Sequence, residues 1–192
     1  MQKNNRREFL KSTTIAGSAY AVTNSHLDAF GADTFKRQIS LGYDNFAVRA
    51  MKWKASELIK YAAKLNCDTL FITDFSPFEK LDDEKYLKNL SKLATDSGVK
   101  LLLGSWSICP TAVSFKKDWG TADEHLKLGV RMAKALGSPA FRVILGNMRD
   151  RLSEGGIEAK IADTVKVLKR NKTYCVDHGV KIAMENHAGD MH

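Results

Sequence analysis

Twice along this chain a helix is stopped and a strand started by the same four-residue device. Gly98-Val99-Lys100-Leu101 and Gly179-Val180-Lys181-Ile182 each place a glycine after an amphipathic run and an apolar run after the glycine. Glycine suits the left-handed position that ends a helix. Strand-like segments occupy residues 38–42, 69–73, 99–103, 140–145 and 180–184, so their starts recur at roughly 30 to 40 residues, the length of a βα unit. They are continuous apolar runs instead of alternating ones, which implies burial on both faces, as in a parallel sheet covered by helices.

Helix signals fill the gaps. Residues 55–65 and 82–96 carry helical periodicity, the second with Leu87, Leu90 and Ala94 on one face. Thr121 and Glu124 have the spacing of a capping box for a helix that ends before Gly137. A long helix with Ile157, Ile161, Val165 and Leu168 at helical spacing runs up to Gly179.

Two architectures suit such a pattern: an open doubly wound sheet and a closed (β/α)₈ barrel. The open sheet should show a glycine-rich phosphate loop after its first strand. Here the first strand leads into Tyr43-Asp44-Asn45-Phe46-Ala47-Val48-Arg49, and no GxxxxGK[ST] element occurs. The (β/α)₈ TIM barrel is therefore expected. Such a barrel typically needs about 250 residues. With 192 residues and five strand signals, the chain is expected to hold only about the first five βα units.

Residues 1–32 read as a leader and 33–192 as the partial barrel. Asn5-Arg6-Arg7-Glu8-Phe9-Leu10-Lys11 resembles a twin-arginine export motif, and a modestly apolar stretch follows it. Arg6 and Arg7 would engage the twin-arginine export machinery, placing the mature protein in the periplasm or otherwise outside the cytoplasm. The formal charge of +8 is less informative than it looks. The first 21 residues contribute four basic and one acidic side chain, +3, leaving 8 − 3 = +5 spread along the rest. That is a mildly basic solvated surface and no argument for nucleic acid. No run of about 18 uncharged apolar residues is present, so no membrane span is expected. Cys67, Cys109 and Cys175 are odd in number, widely spaced and set in apolar surroundings, so buried free thiols are expected.

In a barrel the functional groups lie at the C-terminal ends of the strands. The candidates there are Asp44, Asn45 and Arg49, then Asp74 and Ser76, then Trp106, Ser107 and Cys109, then Asn147, Arg149 and Arg151, and last Glu185, Asn186 and His187, followed by Asp190 and His192. The fifth strand is the densest. Its period of two puts Ala183, Glu185 and His187 on one face. A glutamate after Ile182-Ala183-Met184 is costly to bury unless it is paired, hydrogen-bonded or metal-bound. Metal or acid–base work is the functional reading of Glu185, and a salt bridge to Arg142 is the structural one.

The segment from Lys181 to Asp190, with its Glu185-Asn186-His187 ending, resembles the fifth strand of the xylose isomerase-like TIM barrels, the sugar phosphate isomerase/epimerase superfamily. Arg142-Val143-Ile144-Leu145-Gly146 resembles its fourth strand, and Leu41-Gly42-Tyr43-Asp44-Asn45-Phe46 the first strand and loop of exported members. The resemblance spans residues 39–192. It implies one divalent metal (Mn, Mg, Co or Zn) held by side chains from strands five to eight. Glu185 would be the first ligand and one of two carboxylates that shuttle a proton through an enediolate. His187, Trp106, Asp74 and Asn45 would bind a small carbohydrate. The other ligand positions would fall beyond His192, so the chain is expected to be C-terminally truncated and inactive alone.

A keto-sugar or inositol lyase or dehydratase on the same barrel uses the same proton abstraction and stays open. So does a non-catalytic or degenerate sugar-binding fragment. Half a barrel would expose its first and fifth strands as edges, which invites homo-oligomers. An endonuclease-like phosphodiesterase is disfavoured, because Asp74-Phe75-Ser76 and Ser105-Trp106-Ser107 offer no histidine ligands.

Overall fold

The structure is a computed structural model that describes residues 39–185 and residue 187. The leader reading, with Arg6 and Arg7, and residues Asn186, Asp190 and His192 lie outside the described residues. Five parallel strands form one sheet in the order β1-β2-β3-β4-β5. They are β1 (Gly42–Asp44), β2 (Thr69–Ile72), β3 (Lys100–Gly104), β4 (Ala140–Ile144) and β5 (Lys181–Glu185). The connections carry α1 (Ala55–Lys64), α2 (Glu84–Asp96), α3 (Ala122–Leu136), the short α4 (Met148–Arg151) and α5 (Gly156–His178). Sequential neighbours joined by helical crossovers are what a parallel sheet requires. No helix among the described residues is long and apolar enough to cross a membrane.

Local chemistry sets the boundaries. Asp83 accepts from the Tyr86 N–H to start α2. Thr121 and Glu124 form the expected capping box at the start of α3. Gly98 and Gly179 both adopt the left-handed conformation, with φ of 70° and 69°, so the repeated device works as a helix stop at both places. The first strand lies further along than expected. It pairs through Gly42↔Thr69 and ends at Asp44. A Cβ on Gly42 would meet the Thr69 hydroxyl at 2.0 Å, so this rung needs a residue without a side chain.

The two faces of the sheet differ. Leu70, Ile72, Leu101, Leu103, Phe141 and Val143 point to the helices and are buried. Together with Leu58, Ile59, Leu87, Leu90, Leu126 and Val130 from the helices they make the core. The other face carries Asp44, Phe71, Leu102, Arg142 and Glu185, none of them fully buried. Burial on both faces, expected from the apolar runs, is met fully on the helix side; on the open face Ile144 is buried while Phe71, Leu102 and Arg142 are only partly so. Phe71 and Leu102 make the runs look continuous, yet they stand on the open face.

Helix α5 also departs from the sequence pattern. The stripe of Ile161 and Val165 is exposed, and Val176 is 67% exposed. The buried positions are Lys160, Thr164, Val167, Asn171 and Cys175. The reason is polar. Asn171 donates to Asp123 on α3, Arg170 reaches the same carboxylate at 2.8 Å, and Lys160 donates to the Thr111 carbonyl at 2.9 Å. These bonds orient α5 with Lys160 and Asn171 packed inward and hydrogen-bonded, whereas the buried Thr164 hydroxyl has no partner among the described residues. The three cysteines are free; Cys109 and Cys175 are buried as expected, whereas Cys67 is only half-buried.

Helix α3 lies close against β4 because residue 129 is glycine. A Cβ there would stand 2.1 Å from the Phe141 ring. Gly129→Ala is expected to push α3 off the sheet and lower stability by roughly 1–3 kcal/mol, the usual cost of overpacking a core. Urea unfolding of the variant against the parent measures it, and an unchanged midpoint would show that this contact is slack.

Candidate functional site at the strand ends

The C-terminal ends of the strands surround a cavity of about 140 Å³, walled by Asp44, Phe71, Asp74, Trp106, Arg142, Glu185 and His187 among others. Four of the residues singled out from the sequence meet there: Glu185, His187, Trp106 and Asp74. The fifth does not. Asn45 is buried, and its carboxamide oxygen accepts from the Thr73 N–H at 2.7 Å and the Thr73 hydroxyl at 2.9 Å. It straps the end of β1 to β2 and borders a neighbouring hollow with Arg49 and Trp53.

Register builds the centre. Pairing of Arg142 with Ala183 and Ile144 with Glu185 places Arg142 and Glu185 on the open face, one step apart on adjacent strands. Arg142 Nε stands 2.8 Å from Glu185 Oε2. The contact is an ion pair without hydrogen-bond alignment, since Nε is a buried donor lacking an aligned acceptor. His187 Nδ1 lies 3.2 Å from the other carboxylate oxygen, Oε1. The glutamate is thus held from both sides. The salt bridge that the sequence offered as the structural use of this carboxylate is present, and it lies in the wall of the cavity.

Arg142 is itself held by β3. Its Nη1 donates to the Ser105 carbonyl at 2.8 Å, and the Ser105 N–H donates to the Arg142 carbonyl at 2.8 Å. Its guanidinium lies over the Phe71 ring, 4.9 Å from the centroid, a favourable cation–π placement. Gly104 leaves the space for this. A Cβ there would come within 3.0 Å of the Phe71 ring and 3.1 Å of Arg142 Nε. Burial draws the Arg142 pKa down, while Glu185, Asp74 and Asp44 act against that shift.

Behind Ser105 stands a histidine to which the sequence reading assigned nothing. His125 on α3 is wholly buried among Phe75, Phe115 and Trp119. Its Nε2 is 2.8 Å from the Ser105 hydroxyl, and its Nδ1 has no partner among the described residues. A neutral ring that donates from Nε2 leaves only a lone pair unmatched, which is cheaper than an unmatched N–H. Burial pushes its pKa down to about 4. A polar residue recurring in the apolar stripe of α3 (Ala122, His125, Leu126, Gly129) is the one sequence signal that could have found it.

Two wall residues are fixed by their loops. Asp74 accepts from the Ser76 N–H at 2.7 Å, an Asx turn. Trp106 carries the Lys116 ammonium 4.0 Å from its ring centroid. The loop bearing Trp106 is anchored by Ser107 donating to the Leu145 carbonyl at 2.8 Å. Further on, buried Asp150 accepts from Val113 N–H, Ser114 and Asn147 N–H.

A divalent metal was expected from the sequence. Among the described residues no three His, Cys, Asp or Glu side chains converge on one point. Glu185 and His187 supply two neighbouring donors, and the guanidinium already lies against one carboxylate oxygen. These residues do not complete a divalent-cation site, which needs at least three or four such ligands.

The chain has the α/β architecture of the first part of a TIM barrel, and solved structures share it. It is similar to the IolI protein solved with a zinc atom (TM-score 0.58, 18% identity, 76% of this chain, 51% of that one). It is similar to D-psicose 3-epimerase in the presence of D-fructose (TM-score 0.55, 15% identity, 75% of this chain, 51% of that one). The probable 3-DHS dehydratase AsbF of Bacillus anthracis is a third (TM-score 0.53, 12% identity, 78% of this chain, 53% of that one). The chain spans about half the length of these structures, and at such identities the likeness is one of fold. No protein-family profile and no curated relative matches the chain.

The depressed His125 pKa makes stability pH-dependent. The unfolded chain binds a proton near pH 6.5, but the folded one does not until about pH 4. Stability therefore falls as pH drops through that window, by about 3 kcal/mol in all from this group. His125→Gln is expected to flatten that part of the curve in urea unfolding between pH 7 and pH 4. An identical slope in parent and variant would place the proton elsewhere.

Proposed function

We propose that this chain is the strand-one-to-five part of a sugar isomerase or epimerase that moves a proton at a carbon beside a carbonyl. The observation that carries the reading is Glu185, set at the end of a parallel strand between Arg142 and His187 and facing a cavity walled by Trp106 and Asp74. Similarity in fold to a ketose 3-epimerase supports it. In this reading the Glu185 carboxylate takes the proton from the carbon, and the electron pair moves onto the carbonyl oxygen to give an enediolate. Return of a proton to the neighbouring carbon is isomerisation; return to the other face of the same carbon is epimerisation. Arg142 and His187 hold the carboxylate in place, Trp106 offers an apolar platform to the sugar, and Asp74 accepts from a hydroxyl. Asn45 acts on this cavity only indirectly, through Thr73.

The divalent ion belongs to the same proposal, with Glu185 and His187 as two of its donors and the remaining ones outside the described residues. Recognition by the twin-arginine machinery through Arg6 and Arg7, and hence export, is also part of it. The second reading is a dehydratase or lyase. It shares the first proton transfer but expels a hydroxyl, and the likeness to AsbF favours keeping it.

Incubation with D-fructose in D₂O of the complete enzyme of which this chain is the proposed part tests the reading. Deuterium is expected to enter at a carbon next to the carbonyl, and loss of water from the product would point to the dehydratase. Glu185→Gln is expected to slow exchange at least about 100-fold, the scale of general acid–base catalysis. Exchange that persists in this variant would remove Glu185 from the chemistry. Calorimetric titration with Mn²⁺ or Zn²⁺ checks the ligand role separately, since Glu185→Ala should abolish binding.

A further inference from the structure

The charge around the cavity separates two ligand classes that the fold leaves together. Asp44, Asp74 and Glu185 bring three carboxylates to its wall, against the single guanidinium of Arg142. That guanidinium is already committed, to Glu185 and to the Ser105 carbonyl. Two other cations pack on wall rings without lining the cavity. The Arg49 guanidinium lies 3.9 Å from the Phe46 centroid and donates to the Phe46 carbonyl. The Lys116 ammonium lies over Trp106. Asp44 and Asp74 each give one oxygen to a backbone N–H, of Ala47 and Ser76 respectively. Among the described residues their second oxygens take no further hydrogen bond, which leaves them as acceptors for ligand hydroxyls.

We infer that this half of the site takes an unphosphorylated, neutral polyol or sugar and rejects sugar phosphates, with Asp44 and Asp74 as the residues that set the preference. With no divalent ion bound, a phosphate dianion brought into the cavity would meet a surplus of two negative charges in a partly desolvated setting, where such repulsion is screened less than in bulk water; an ion held at Glu185 would offset that surplus and leave Asp44 and Asp74 to set the preference. Among the described residues the phosphate would find no uncommitted arginine fork lining the cavity. A neutral sugar has the hydroxyl donors that the carboxylates require, and an apolar ring face for Trp106. The inference rests on reading the cavity as a sugar site.

Saturation-transfer NMR and tryptophan fluorescence on the full chain, freed of metal with EDTA and titrated with D-fructose and with D-fructose 6-phosphate, test it without any turnover. Fructose is expected to bind at least about tenfold more tightly than the phosphate at low ionic strength, with the gap narrowing as salt screens the carboxylates. The Asp44→Asn/Asp74→Asn double variant isolates charge. Asparagine keeps both the cap and the Asx turn, so the fold should survive, as circular dichroism would show. In that variant the phosphate should bind more tightly and the gap should shrink. Equal or tighter phosphate binding in the parent, or a gap unchanged in the variant, would overturn the charge argument alone. No binding of either ligand would overturn it together with the sugar-site reading, whereas failed deuterium exchange with intact fructose binding would touch only the chemistry.

Discussion

The contact between Arg142 and Glu185 is the constraint around which the open face of the sheet is organised. A guanidinium on β4 must be satisfied while mostly buried, and the surroundings supply what it needs. Ser105 gives a carbonyl, Phe71 gives a ring face, Gly104 gives room, and Glu185 gives the opposite charge. Burying one member of an ion pair without the other is costly. The pair therefore explains why a carboxylate can end β5 among apolar neighbours, and why an arginine interrupts the apolar run Ala140–Ile144.

The same contact joins the site to the core. Ser105 binds Arg142 through its backbone and His125 through its side chain, so a residue deep under α3 helps hold the strand on which the arginine leans. Gly129 lets α3 come close enough for His125 to reach Ser105. Packing on the helix side and chemistry on the open side are thus coupled through one serine. The coupling is short and local, and it uses ordinary groups: a hydroxyl, a carbonyl and a close glycine approach.

Much of this was legible in the chain. Strand spacing, the repeated glycine stop at Gly98 and Gly179 and the Thr121–Glu124 box defined the βα units, because each is a local signal with a local cause. Glu185, His187, Trp106 and Asp74 were recognisable because a parallel sheet sends its strand ends to one side. What was not legible depended on tertiary choice. Asn45 has the residue type of a ligand-binding loop, but it is taken up by Thr73. The apolar stripe of α5 is real, yet Asp123 and Thr111 favour the adjacent face, about 100° round the helix, through Asn171, Arg170 and Lys160. His125 carries no motif, and only its place among the core residues of α3 sets it apart.

The pairing of β4 with β5 has one more consequence. In a strand, a slip of a single residue sends every side chain to the other face of the sheet. Here such a slip would carry Glu185 to the helix side and leave Arg142 without its counter-ion. The ion pair and the native register thus imply each other: the carboxylate meets the guanidinium only when β5 is paired as observed.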